Sequence, residues 1–160
     1  MIKAIVACDQ AGGIGLNGSM PWPHNKTDLQ NFRALTMGHA VVMGHKTWAS
    51  LPKSLDNRMQ YVLTRQMNIN PPATYNCKII TGQVDSLLKE LEMYHDIVWV
   101  IGGLDIYRQA WSLIQEWHIT VHPDLYTVDK RINLQEIYDN FNLTHSYSKA
   151  GLQFKTLCKE

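Results

Sequence analysis

The sequence lacks the marks of a secreted, zinc-stapled or membrane-spanning chain. Its three cysteines, Cys8, Cys77 and Cys158, are odd in number and show no C-x-x-C spacing. That excludes a disulfide or zinc framework and reads as small buried hydrophobes of a reducing compartment. No apolar run is long enough to cross a bilayer, and no charged, then apolar, leader precedes the first strand-like run. A soluble cytoplasmic protein with no membrane partner is expected. An excess of one charge is missing too: 15 Lys and Arg face 14 Asp and Glu, for a net charge of +1. The basic residues are scattered, so no nucleic-acid partner is expected, only a local basic pocket. H-E-x-x-H and a convincing Ser-His-Asp set are also absent, and no metal is expected. There is no internal repeat, low-complexity tract or linker. The 160 residues are enough for one domain, 1–160, with a real core, and a monomer is expected.

What is present is an alternation. "IKAIVAC", "HAVVMG", "MQYVLT", "CKIIT", "DIVWVIGG" and "EWHITVH" have strand character, and "LTHSYS" with "LQFKTLC" reads as a closing antiparallel pair. The inner runs are nearly continuous in Val and Ile, as strands buried on both faces require. Helical spacing is expected over Thr27–Thr36, from about Lys46, over Val84–Tyr94 and over Leu104–Ile114. "NINPPATYN" is the most loop-like stretch. The expected fold is α/β: a three-layer sandwich with a central, mostly parallel eight-stranded sheet ending in an antiparallel edge strand, flanked by about four helices. Ligands then belong at the carboxyl ends of the strands.

"GIGLNG", from Gly13 to Gly18, fits the dinucleotide fingerprint G-x-G-x-x-G and follows a strand-like run. The fingerprint needs a helix opening inside it, with the pyrophosphate on that helix's N-terminus. Here Pro21 and Pro23 follow at once. They lack amide donors and push Met20 and Trp22 out of the helical region. Glycine hinges with large apolar residues suggest instead a lid over a pocket.

Next, Leu29, Phe32 and Leu35 form an apolar helix face, and Asp28 borders it in the first turn, with Asn25 or Thr27 as candidate N-cap. The helix dipole favours this carboxylate and burial opposes it. Beneath a Met-Trp lid, it is a candidate anchor for a cationic or amidine-like ligand, or a proton source. "MGHKTW" and "IGGLDIY" each read strand, glycine, helix, where free amides and close backbone approach suit phosphates. With His45-Lys46 and Thr64-Arg65 they suit a dinucleotide carrying an extra phosphate, NADP(H) over NAD(H).

These residues resemble the dihydrofolate reductase family. Its signature runs Gly13-Ile14-Gly15, "LNGS", Met20-Pro21-Trp22, "PHNKT", Asp28, "LQN", Phe32, "RAL", Thr36, with every fixed position met. The likeness continues through "VVMGHKTWASL", "LTR", "VIGGLDIY" and "HITVH", over nearly the whole chain. It implies reduction of 7,8-dihydrofolate to tetrahydrofolate with NADPH, supporting one-carbon and thymidylate metabolism. It implies that Asp28 is the single active-site acid, that Thr120 supports it, that Trp22 orders water there and that Met20 tips the lid. Ile5, Leu29, Phe32, Leu51, Leu55 and Ile101 would line the folate cleft, and Arg58 would bind the α-carboxylate of the folate glutamate. Ala7, Ile14, Gly15, Ser19, Gly44, His45, Lys46, Thr47, Leu63, Thr64, Arg65, Ile101, Gly102, Gly103, Leu104, Ile106 and Tyr107 would face the cofactor. In this family the adjacent glycines usually carry a cis peptide.

The chain departs from the family at His45 (usually Arg), Leu104 (usually a third Gly) and Asp105 (usually basic), and at "VDKRIN", where only Asp129 survives. The last departure leaves open the hydrogen bonds that support the lid. Two alternatives remain at this stage. A riboflavin-pathway reductase would keep the NADPH site without needing the Met-Pro-Trp lid, Asp28 or Arg58. A non-catalytic binding or structural protein would keep both pockets without turnover.

Overall fold

The computed structural model describes residues 1–65 and 76–160. Most of "NINPPATYN" therefore lies outside the described residues. Among the described residues, ten strands and five α-helices follow in the order β1 (Ile2–Cys8), β2 (Gly13–Gly15), α1 (Lys26–Thr36), β3 (Ala40–Gly44), α2 (His45–Ser50), β4 (Met59–Leu63), β5 (Cys77–Ile80), α3 (Val84–Leu91), β6 (Val98–Gly102), α4 (Leu104–Ala110), β7 (Glu116–Val121), β8 (Lys130–Arg131), α5 (Leu134–Asn140), β9 (Asn142–Lys149) and β10 (Leu152–Cys158). Eight of the strands form one sheet in the order β5-β4-β3-β6-β1-β7-β10-β9. From β5 to β7 every pairing is parallel, and β10 runs against both β7 and β9. The mixed eight-stranded sheet is as expected. The flanking helices bear out the expectation of about four, with α5 as the one added to the segments read from the sequence. In addition, α3 stops at Leu91, and α4 stops at Ala110 and gives way to a 3₁₀ turn over Trp111–Leu113.

The two faces of the sheet are packed differently. On one face Leu88, Ile114, Trp117 and Ile137 are fully buried among side chains of α3, α4 and α5. Each such side chain contributes about 1.5–3 kcal/mol by leaving water. The other face has a smaller sealed core of Ile5, Val41, Met43, Val62, Cys77 and Trp99. Around it Phe32, Trp48, Leu51, Leu55 and Ile101 are only partly buried. This face keeps half-buried apolar groups beside its sealed core and leaves an open apolar cleft rather than a finished core. Burial pushes the thiols of Cys8 and Cys77 up, Cys8 to about 12, so both stay neutral and behave as hydrophobes.

Candidate active site

The acid at the edge of this cleft is placed by a cap. Asn25 is extended (φ −118°, ψ 110°), and its side chain accepts the Asp28 amide at 3.0 Å, which starts α1. Asp28 thereby occupies the first turn on the inner side of the helix, 8% exposed. Its Oδ2 lies 3.2 Å from Nε2 of His122, itself 2% exposed. His122 directly follows β7, and its amide donates to the Cys8 carbonyl at 2.8 Å, so the backbone fixes the imidazole at the carboxyl edge of the sheet. Trp22 stacks on this imidazole, with ring centroids 4.1 Å apart and planes 17° apart, and Tyr126 packs edge-on against Trp22. The buried Trp22 Nε1 has no hydrogen-bond partner among the described residues.

Thr120 was expected to support Asp28. It is buried on β7; among the described residues no direct hydrogen bond joins it to Asp28, and the carboxylate's partner is His122. The physical reason is the pleat. Thr120 and His122 alternate onto one face, and the longer imidazole at the strand end reaches the helix.

The segment expected to form a lid is a tight hairpin. Leu16 and Ser19 exchange backbone hydrogen bonds of 2.8 and 3.1 Å across Asn17 (φ 51°) and Gly18 (φ 83°), two left-handed residues of the type favoured in two-residue hairpin turns. Gly13–Gly15 forms a strand, β2, paired with β8, which agrees with the absence of a phosphate-binding helix there. The altered "VDKRIN" segment still holds the lid: the Asp129 amide donates to the Gly15 carbonyl and its Oδ2 accepts the Asn17 amide, both at 2.9 Å. Met20 is 46% exposed above this base. Below it, the fully buried Asp9 accepts the amides of Ala11, Gly13 and Tyr126 at 2.9, 2.8 and 3.1 Å. Burial alone would raise its pKa, but the three amides together hold its carboxyl below the usual range.

Across the cleft, Arg58 is 4% exposed. Its Nη1 donates to Thr36 Oγ1 at 3.1 Å, its Nε to the Asp56 carbonyl at 2.9 Å and its Nη2 to Asp56 Oδ1 at 3.2 Å. Burial works against its charge and Asp56 opposes that effect. A guanidinium has five N–H donors, so one on each terminal nitrogen remains for an incoming carboxylate. The Phe32 ring lies beneath the guanidinium at 5.8 Å. Thr36, the last residue of the sequence signature, thus orients the arginine.

The carboxyl ends of β6, β3 and β4 lie side by side, through the pairings Met43–Gly102 and Gly44–Leu63. This brings Gly44, Thr64 and Gly102-Gly103 together. Gly44 and Gly103 are the N-caps of α2 and α4, and neither helix has a side-chain cap. A methyl group on Gly103 would meet only Thr47 Oγ1, at 3.6 Å, so the two glycine turns face a shared space with Thr47 between them. The Gly102–Gly103 peptide is cis. Tyr107 donates its hydroxyl to the Ile5 carbonyl at 2.7 Å, and burial pushes its pKa up, so it remains a neutral donor. His45 packs near Trp48, Lys46, Asp105 and Arg65 are exposed, and Leu104 packs into the closed face. Ile14 and Gly15 sit in β2, Ser19 closes the hairpin, Ala7 lies on β1, and Leu63 and Ile106 are buried. Leu29 is half-buried on α1.

The dihydrofolate reductase family profile matches residues 1–151. This chain belongs to the dihydrofolate reductase family. "Dihydrofolate reductase type 8" of Escherichia coli is 34% identical over 143 residues, covering 88% of this chain and 85% of that protein. The dihydrofolate reductase of Mycoplasma pneumoniae is 32% identical over 151 residues, covering 94% and 92%. A solved dihydrofolate reductase from Enterococcus faecalis, complexed with NADP(H) and RAB-propyl, superposes with a TM-score of 0.85 over 100% of this chain and 96% of that one. At 20% identity that likeness speaks to the fold.

Within this dihydrofolate reductase fold, two residues at the site were not singled out from the sequence. His122 shares the strand parity of Thr120 in "HITVH", a signal that was present. Asp9 had only its place at the end of β1 to mark it.

Proposed function

We propose that the chain reduces 7,8-dihydrofolate to 5,6,7,8-tetrahydrofolate with NADPH, acting as a monomer. One observation carries the reading: a buried carboxylate, Asp28, at the rim of a half-open apolar cleft whose far side holds a buried arginine, Arg58. Dihydrofolate has the matching shape, with an amino-pterin at one end and a carboxylate at the other. Asp28 would accept hydrogen bonds from the pterin's amino group and ring nitrogen and promote protonation at N5. Phe32, Leu51, Leu55 and Ile101 would hold the flat middle of the molecule. Arg58 would receive the α-carboxylate as a charge-assisted pair.

The residues at the other edge fit NADPH. Two helix starts without side-chain caps, with Thr47 between them and no bulk beyond a glycine at Gly103, suit a pyrophosphate. His45, Lys46 and Arg65 would supply charge for the additional phosphate. When bound there, NADPH would supply the hydride for C6. The chain itself would align the two ligands, exclude water under the Met20–Trp22 lid and support one proton transfer. Asp28, Arg58 and the lid weigh against a riboflavin-pathway reductase.

Turnover separates this reading from a non-catalytic binder. Mixing the protein with NADPH and dihydrofolate is expected to lower the near-ultraviolet absorbance of NADPH, and NADH run in parallel tests the His45 departure. No decrease at micromolar enzyme contradicts the proposal.

A further inference from the structure

We infer that His122 is the positioning residue of Asp28: its imidazole donates from Nε2 to Oδ2 and locks the carboxylate in one orientation, leaving Oδ1 to the substrate. The inference rests on the dihydrofolate reductase reading, but its structural half is testable without turnover. Three observations converge on this ring. Its Nε2 is 3.2 Å from Asp28 Oδ2. Trp22 covers it face to face at 4.1 Å, so the ring cannot turn freely. Its backbone is fixed by the Cys8 carbonyl. A ring held on three sides, with one nitrogen on a buried carboxylate, sets both the tautomer and the orientation of the acid.

The groups that face the pair are few. Asp28 comes from α1, and from the lid side Trp22 and Tyr126 present aromatic rings. From β1, Cys8 presents a thiol that burial keeps neutral, and Asp9 turns to the Ala11, Gly13 and Tyr126 amides. Among the described residues, the charge nearest to the imidazole is therefore that of Asp28. An N–H donated to an ionised carboxylate is a charge-assisted hydrogen bond, stronger than one between neutral groups.

The structural arm uses proton–nitrogen correlation spectra of the ligand-free protein with labelled histidine, the His122 signals being assigned by their loss in His122→Gln. A protected Nε2 proton is expected for His122 in the wild type and is expected to vanish in Asp28→Ala, with the backbone spectrum otherwise kept. A proton on Nδ1 alone, or a ring signal indifferent to Asp28→Ala, overturns the pairing. The kinetic arm compares the wild type, His122→Leu and His122→Gln. At about pH 8, His122→Leu is expected to lose roughly tenfold in kcat/KM for dihydrofolate, with KM for NADPH unchanged. His122→Gln keeps a neutral donor and is expected to stay within about threefold of the wild type. A loss in His122→Gln as large as that in His122→Leu, or an equal loss in NADPH affinity, marks a merely structural residue and overturns the inference. If the Nε2 proton is present as expected but the wild type has no turnover, the assigned reaction fails while the spectrum upholds the pairing.

Discussion

β7 and the residue after it carry two histidines that each meet a carboxylate, and the two pairs have different characters. His118 pairs with Glu116 of its own strand, and Lys3 of neighbouring β1 joins the same carboxylate at 3.4 Å. The edge of the His118 ring packs on Trp99, 5.0 Å away. His122 pairs instead with Asp28, across 94 positions of sequence, under a stacked tryptophan. Both histidines lie on one face of the sheet, because alternate strand residues share a face. What separates them is position along the strand. The first pair sits where β7 begins, far from the glycine turns, with a cation already neutralising it. The second sits at the carboxyl edge, where the strand ends, α1 begins and Trp22 packs over the imidazole. The same chemical pair is a local brace in one place and part of a site in the other.

The largest effect that would break the comparison is expected at Asp28. Asp28→Asn should lower turnover at neutral pH by about 100-fold or more, with the Kd for NADPH changed little. Steady-state kinetics beside equilibrium titration of NADPH checks this, and equal losses in both would reduce Asp28 to a structural role.

Asp9→Asn comes next. Replacing a buried carboxylate that serves three amides is expected to cost about 2 kcal/mol in denaturant unfolding at neutral pH. The carboxyl is held below its ordinary value. Its stabilisation is therefore fully present above the usual carboxylate range and is lost as pH falls through the depressed folded value. The gap between the wild type and the variant should close below about pH 4. A gap constant with pH would contradict this.

How much of this was legible varies with distance in sequence. The strand runs and the apolar helix face of Leu29, Phe32 and Leu35, with Asp28 at its border, follow from local spacing, and they hold in the fold. Pro21 and Pro23 were enough to reject a phosphate loop, and the structure places a strand and a hairpin there. Leu134, Ile137 and Tyr138 of α5, with Phe141 at its C-cap, do have helical spacing, but α5 is only seven residues long, and its period is hard to separate from the flanking strand. The Asp28–His122 contact and the amides around Asp9 are brought together by the sheet order, which no local window contains.

Glu116→Gln tests the other half of the comparison. It leaves Lys3 and His118 without a carboxylate and is expected to cost about 1 kcal/mol of stability while kcat/KM for dihydrofolate stays within about twofold. A large kinetic loss would erase the distinction between the two pairs. The smallest effect is expected at His118. Burial depresses its imidazole and Lys3 adds to this, against the pull of Glu116. The neutral ring's contribution is therefore complete above about pH 6.5, the ordinary histidine value, and is lost as pH falls through the lower folded value. The stability advantage of the wild type over His118→Gln should shrink by less than about 1 kcal/mol between neutral pH and pH 5 in paired thermal melts. An advantage that grows on acidification would reverse the sign.

The central claim, that the Asp28 end of the cleft is where a pterin is reduced, is tested most directly by isotope transfer. The wild-type protein is given dihydrofolate and NADPH deuterated at the reactive face of C4, and the folate product is analysed by mass spectrometry and proton NMR. Tetrahydrofolate carrying a single deuterium at C6 is the result predicted. Unlabelled product, label at another carbon, or no product would contradict it.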